Sequence, residues 1–191
     1  WLLFCRASVL AVLAYLLLPA AGFASGTTDL VGVYFDVAES TTRYYTTVPN
    51  EIVYGHLVIL NPSDTRGVVQ FAGTLLAMGA VDGIPSFMTD CSVSWMPPPT
   101  VLIGCDEPIP HSAVVVVSEF GVMVGSPDTV VEFVFTLGEG SGAEYLPYGA
   151  ESHVALVPWS GDFGVPVALI NADGPVASAI TPLGGVKSLF R

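Results

Sequence analysis

The pattern of apolar and polar positions is strand-like over most of the chain. Short apolar runs occur at Leu30–Asp36, Ile52–Leu60, Gly67–Leu76, Cys91–Met96, Val101–Cys105, Ala113–Val124, Thr129–Leu137, His153–Trp159 and Val165–Asn171. Between them lie turn-forming segments such as Asn61-Pro62-Ser63-Asp64, Asp82-Gly83, Ser126-Pro127-Asp128 and Ser160-Gly161-Asp162. Nine short runs at this spacing, rich in valine and aromatic residues, predict an all-β sandwich or barrel. In Thr129–Leu137, Val131, Phe133 and Phe135 face one way, and Val130, Glu132, Val134 and Thr136 the other. That alternation is the signature of an antiparallel strand with one buried and one wet face. Ile52–Leu60 is instead almost continuously apolar. It is expected at the centre of a sheet, or with its second face covered by a loop.

Two segments depart from the strand pattern. Residues 1–24 carry one cation (Arg6), an apolar run from Ala7 to Leu18, Pro19, and small residues at Gly22 and Ala24. This predicts a signal peptide cleaved between Ala24 and Ser25. The alternative, an uncleaved membrane anchor, would have to span with 18 residues interrupted by Pro19 and Gly22. At the other end, Thr181 suits an N-cap and Pro182 the first helical position, while Val186, Leu189 and Phe190 share one helical face. Lys187 and Arg191 would complete a short C-terminal helix with charge favoured at its last turn.

Composition changes meaning once the leader is set aside. The 191 residues are 52% hydrophobic, 12% charged, and carry a net charge of −12. The expected mature chain, residues 25–191, holds one domain's worth of sequence, with four cations against 17 anions. Such a surface excludes nucleic acid as a partner and disfavours anionic membranes, and it keeps an exported protein soluble.

The cysteines give the most specific reading. Export implies an oxidising compartment, and two cysteines remain after processing, Cys91 and Cys105. The sequence between them folds back about Pro98, setting Cys91 opposite Cys105, Val93 opposite Ile103, and Trp95 opposite Val101. All six then share one apolar face, and a slip of one residue would destroy the match. A Cys91–Cys105 disulfide clamping a hairpin on its core side is predicted. Closing a loop of about 15 residues stabilises by on the order of 3 kcal/mol in the chain-entropy picture.

The search for chemistry yields little. There is no G-x-S-x-G elbow and no H-E-x-x-H. His56, His111 and His153 are scattered, and Glu151 with His153 supplies only two potential ligands. The glycine-rich stretch from Gly138 to Gly142 lacks the lysine and helix of a phosphate loop. Three carboxylate pairs, Asp106 with Glu107, Asp36 with Glu39, and Asp162 with Asp173, have the residue types of a glycosidase acid and base. Asn171-Ala172-Asp173-Gly174 is a fragment of a calcium loop without its later acids. Tyr44 and Tyr45, flanked by threonines, form the best exposed aromatic stretch, which also reads as an ordinary edge strand. No residue is assigned to catalysis, to a cofactor or to a metal, and no cofactor is expected.

Four segments carry a resemblance. Gly32-Val33-Tyr34-Phe35-Asp36, Leu57-Val58-Ile59-Leu60-Asn61-Pro62-Ser63, Val165-Pro166-Val167-Ala168-Leu169-Ile170-Asn171 and Val186-Lys187-Ser188-Leu189-Phe190-Arg191 together resemble a group of uncharacterised secreted bacterial β-sandwich proteins. The strand layout is also distantly similar to cohesin-like sandwiches, which bind partner modules through a sheet face. The resemblance implies export and fold, and assigns no binding residue here.

The sequence thus predicts a single antiparallel β-sandwich of jelly-roll or Ig/cohesin-like type over residues 25–191, secreted or held in the periplasm or cell envelope. Its expected role is non-catalytic, binding an extracellular protein or glycan or serving structurally. The alternative is a secreted hydrolase using a carboxylate pair, with or without calcium in support.

Overall fold

A computed structural model of the chain describes residues 28–36, 38, 41–138 and 142–172. The expected signal peptide at 1–24 and the expected helix at Thr181–Arg191 lie outside the described residues. Within them the fold is all-β, and no helix is long and apolar enough to cross a membrane. The strands are β1 (Leu30–Tyr34), β2 (Arg43–Tyr44), β3 (Glu51–Leu60), β4 (Val68–Met78), β5 (Ser86–Met88), β6 (Ser92–Trp95) and β7 (Val101–Ile109). They continue with β8 (Val114–Val124), β9 (Val131–Thr136), β10 (Glu144–Pro147), β11 (Val154–Ala155), β12 (Val157–Pro158) and β13 (Pro166–Ile170).

They form two layers. One is a five-stranded sheet in the order β12-β1-β3-β8-β5. The other runs β11-β10-β4-β9-β13-β2, with β7 also paired to β4 and β6 to β7. The expectation of a purely antiparallel sandwich is corrected at two places: β12 lies parallel to β1, and β2 parallel to β13. Each parallel contact joins segments far apart in sequence through a strand of two residues. Parallel neighbours require such long crossovers, whereas hairpins cannot make them.

The core is set by alternation. Val53, Gly55 and Leu57 of β3 share a face with Phe120 and Val122 of β8, because Val53 pairs with Val122 and Gly55 with Phe120. All five are buried. That face meets the other sheet at Phe120 and Phe133, whose ring centroids are 5.4 Å apart. The contact extends in both directions as a row of aromatic rings. Phe133 meets Phe35 at 5.5 Å, and Phe35 meets Tyr44 at 6.0 Å. On the other side Phe120 meets Phe87 at 6.3 Å, and Phe87 meets Trp95 at 6.2 Å. Tilted and edge-on pairs at these separations add to the burial of the rings themselves. On β9, Val131, Phe133 and Phe135 are buried as the alternation requires, but so is Val134 on the supposedly wet side.

The cysteine hairpin has the register its sequence specifies. Val93 pairs with Ile103 and Trp95 with Val101, and the Cys91 and Cys105 sulfurs are bonded at 1.99 Å. Its turn closes through Met96 N–H donating to the Thr100 carbonyl, with a cis bond between Pro98 and Pro99. Val101 and Ile103 are buried, whereas Val93 and Trp95 are 38% and 43% exposed. The shared face does point inward. However, β6 lies outside β7, where the facing sheet has already ended at β5.

Two stability predictions follow from this packing. Phe120→Ala is expected to cost about 4 kcal/mol in urea denaturation, and Trp95→Ala, at the half-exposed end of the row, well under half as much. Equal losses would contradict the central position of Phe120. Replacing both cysteines with alanine is expected to lower stability by up to about 3 kcal/mol without shifting the far-ultraviolet spectrum.

Candidate partner-binding face

The second face of the five-stranded sheet is the side chains' other alternative on β3: Ile52, Tyr54, His56, Val58 and Leu60. At one end it is closed. Val58 and Leu60 pair with Gly32 and Leu30 of β1, and all four are buried. Trp159 accounts for this. A Cβ on Gly32 would lie 2.1 Å from the Trp159 ring, which also packs on Tyr34 at 4.7 Å. The indole Nε1 donates to the Val167 carbonyl at 2.8 Å, which fixes the ring in place. Only glycine lets an indole lie this close to the strand.

At the other end the same face is open. Ile52 is 48% exposed and Tyr54 58%, although both belong to the continuous apolar run. Across the ladder, Ile52 pairs with Met123 and Tyr54 with Gly121. A Cβ on Gly121 would meet Ile52 Cγ2 at 3.2 Å and the Tyr54 ring at 3.5 Å, so both side chains lie over a glycine floor. On β5, Ser86 pairs with Gly121 and Met88 with Glu119, which brings the exposed Met88 onto the same face. Val81, also exposed, donates its N–H to the Met123 carbonyl and extends the patch beyond β8.

Polar groups border this patch. His56, half-buried, stands opposite Glu119 on β8 and opposite Tyr34 on β1, and its Nδ1 is buried without a hydrogen-bond partner. An open groove of about 470 Å³ runs alongside, lined by Met88, Thr89, Asp90 and the β8 segment from Val116 to Glu119. Asp90 and Glu119 are both exposed, as is Asp82 next to Val81. Arg43 and Arg66, the two cations among the described residues, lie elsewhere. Arg43 is on β2 of the other sheet, and Arg66 pairs with Asp64 at 2.7 Å in the turn before β4.

The residues singled out from sequence are distributed differently. Asp106 and Glu107 are adjacent and exposed on β7, in the register shift between Gly104, opposite Gln70, and Ile109, opposite Val68. Asp36 accepts hydrogen bonds from the Thr41 N–H and hydroxyl, closing its own loop; its supposed partner Glu39 lies outside the described residues. Asp162 accepts from the N–H of Phe163, and Asp173 also lies outside. Asn171 of the calcium-loop fragment is committed elsewhere, accepting from Thr46 N–H and donating to the Thr129 carbonyl. His153 lies 3.2 Å from the Gln70 amide and His111 3.3 Å from the Pro62 carbonyl. Among the described residues no three His, Cys, Asp or Glu side chains are grouped to hold a metal. Tyr44 belongs to the edge strand β2 and donates to Glu51, which with burial raises its pKa; Tyr45 donates to the Ala172 carbonyl.

A polar knot unannounced by any motif joins Tyr145 of β10 to the loops that carry Asp29 and Asp64. Tyr145, fully buried, donates from its hydroxyl to Asp29 and accepts the Asp64 N–H, while Asp29 also accepts the Ser63 N–H. Burial is the main cause of the raised Tyr145 pKa. Arg66 donates to Asp64 and to the Gly149 carbonyl, holding the Asp64 pKa down to about 2 from 3.8, chiefly through the side-chain hydrogen bond. These acids tie loops together.

No protein-family model matches the chain, and no curated protein matches it. Among solved structures it is similar to the third ScaB cohesin of R. flavefaciens, determined in complex with a group 1 dockerin. The identity is 14% and the TM-score 0.43, over 78% of this chain and 98% of that one.

The Asp64–Arg66 pair gives a pH test. A depressed carboxylate pKa stabilises the fold fully above pH 3.8, and that contribution is lost as pH falls through about 2. In an NMR titration Asp64 should titrate near 2, and in Arg66→Ala it should return toward 3.8. An unchanged midpoint would remove Arg66 as the cause.

Proposed function

We propose that the chain is an exported, non-catalytic module of the extracellular space or cell envelope, one domain over residues 25–191 behind a cleaved leader, that binds a protein partner. The observation that carries this is the open half of the β3 face. There the apolar run continues beyond the end closed by Trp159, leaving Ile52, Tyr54 and Met88 exposed on one side of the sheet. Single exposed apolar residues are ordinary, but several on one sheet face with polar groups around them have the composition of an interaction surface. The residues lie on regular strands, which presents them rigidly and lowers the ordering cost of association. A protein fits this patch better than a glycan does. Sugar sites combine aromatic platforms with converging polar groups, and Tyr54 is the patch's sole aromatic side chain among the described residues.

A hydrolase draws no comparable support. Asp90 and Glu119 share a groove, but it is open and both acids are exposed. A catalytic acid needs an apolar, water-poor setting.

The test is affinity capture from the producing cell's surface and medium on three immobilised proteins: the wild type, Ile52→Ser/Tyr54→Ser, and Tyr148→Ser. Tyr148 is equally exposed at 55% but lies after β10 of the other sheet. Proteins held by the wild type and by Tyr148→Ser should be lost from the double variant, at a cost of about 2 kcal/mol or more in affinity. Retention by all three alike would overturn the proposal.

A further inference from the structure

Resting on that reading of the β3 face, we infer that the partner presents apolar side chains flanked by lysine or arginine. It is a cationic protein surface, and not a second copy of this chain. The inference follows from the charges that border the patch. Glu119 projects from the same face as Tyr54 and His56, since it pairs with His56 and Met88. Asp90 lines the groove beside Met88, and Asp82 adjoins Val81. All three carboxylates are exposed, and none forms an ion pair among the described residues. The committed acids of this protein, Asp29, Asp36 and Asp64, each accept backbone hydrogen bonds that hold loops. The border acids hold nothing comparable, so their charge is available to a partner.

Cations could in principle compensate within the chain, but neither described arginine is on this side. Arg66 is engaged with Asp64, and Arg43 belongs to the far edge of the other sheet. An apolar centre with a one-signed border selects the opposite sign at the partner's rim and speeds encounter. The same border works against self-association. Two copies meeting through this face by a two-fold axis would bring Glu119, Asp90 and Asp82 against their own counterparts with no cation of the described residues between them.

The test uses the full chain, isotopically labelled, titrated by NMR with two synthetic nine-residue peptides of alternating apolar and charged residues. One carries lysine at the charged positions and the other glutamate. The lysine peptide should give saturable shifts at Ile52, Tyr54, Gly121 and Met123, weakening about tenfold between low salt and 0.5 M salt. Asp90→Lys/Glu119→Lys should weaken it by about tenfold or more, while Tyr54→Ser should abolish the localised shifts. The glutamate peptide should not bind. If both peptides bind this face equally, the charge inference fails while the binding face stands. If neither shifts it, or the lysine peptide gives only shifts spread over the whole acidic surface, both fail. Sedimentation at matched concentrations should find the chain monomeric; a dimer abolished by Tyr54→Ser would overturn the exclusion of a second copy.

Discussion

The meeting of Phe120 with Phe133 across the two sheets is the contact on which the rest depends. It exists because Gly55 sits opposite Phe120 on β3: a Cβ at that position would stand 2.6 Å from the Phe120 ring. The glycine lets the ring lie over β3 and reach the other sheet. Once Phe120 is placed, the register of β3 against β8 is set, and strand alternation determines the orientations along β3 and along β8 from Val124 back to Ser118, where the register shifts. Phe87 and Trp95 extend the row to one edge of the sandwich, Phe35 and Tyr44 to the other. The same register that buries Val53 and Leu57 turns Ile52 and Tyr54 outward.

The outward face is thus a consequence of the core, and what happens to it depends on one further residue. Trp159 lies over Gly32 and closes the half of the face that carries Val58 and Leu60. Ile52 and Tyr54 stay exposed. Burying apolar surface is favourable at roughly 25 cal/mol per Å², so a face closed over one half and left apolar over the other retains a driving force for association. An acidic border keeps that face soluble and gives it a preferred sign of partner.

Legibility in the sequence followed the range of the interaction. All nine apolar runs contain strands, and the cysteine hairpin could be read to the residue, because Cys91 to Cys105 is a local symmetric pattern. The two-residue β2 and three-residue β5 carry too few positions to show periodicity, and β10 is a four-residue strand that follows a glycine-rich stretch of sequence. The parallel contacts β1–β12 and β2–β13 join distant segments and leave no local trace. The candidate face was half visible. Continuous apolarity over Ile52–Leu60 announced that both faces of β3 mattered, but the limit of Trp159's cover is a tertiary fact. The carboxylate pairs misled for the opposite reason: with 17 acids, sequence proximity is cheap, and those described lie exposed in an irregular stretch of β7 or tie up loops.

Hydroxyl-radical footprinting of the protein saturated with its captured partner addresses the central claim most directly, because Met and Tyr side chains report their own solvent contact. Met88 and Tyr54 on the open face and Met96 and Tyr148 away from it are all between 41% and 58% exposed in the free chain. The account predicts that the partner shields Met88 and Tyr54 and leaves Met96 and Tyr148 reacting as before. Shielding of Met96 or Tyr148 with Met88 and Tyr54 unchanged would contradict it.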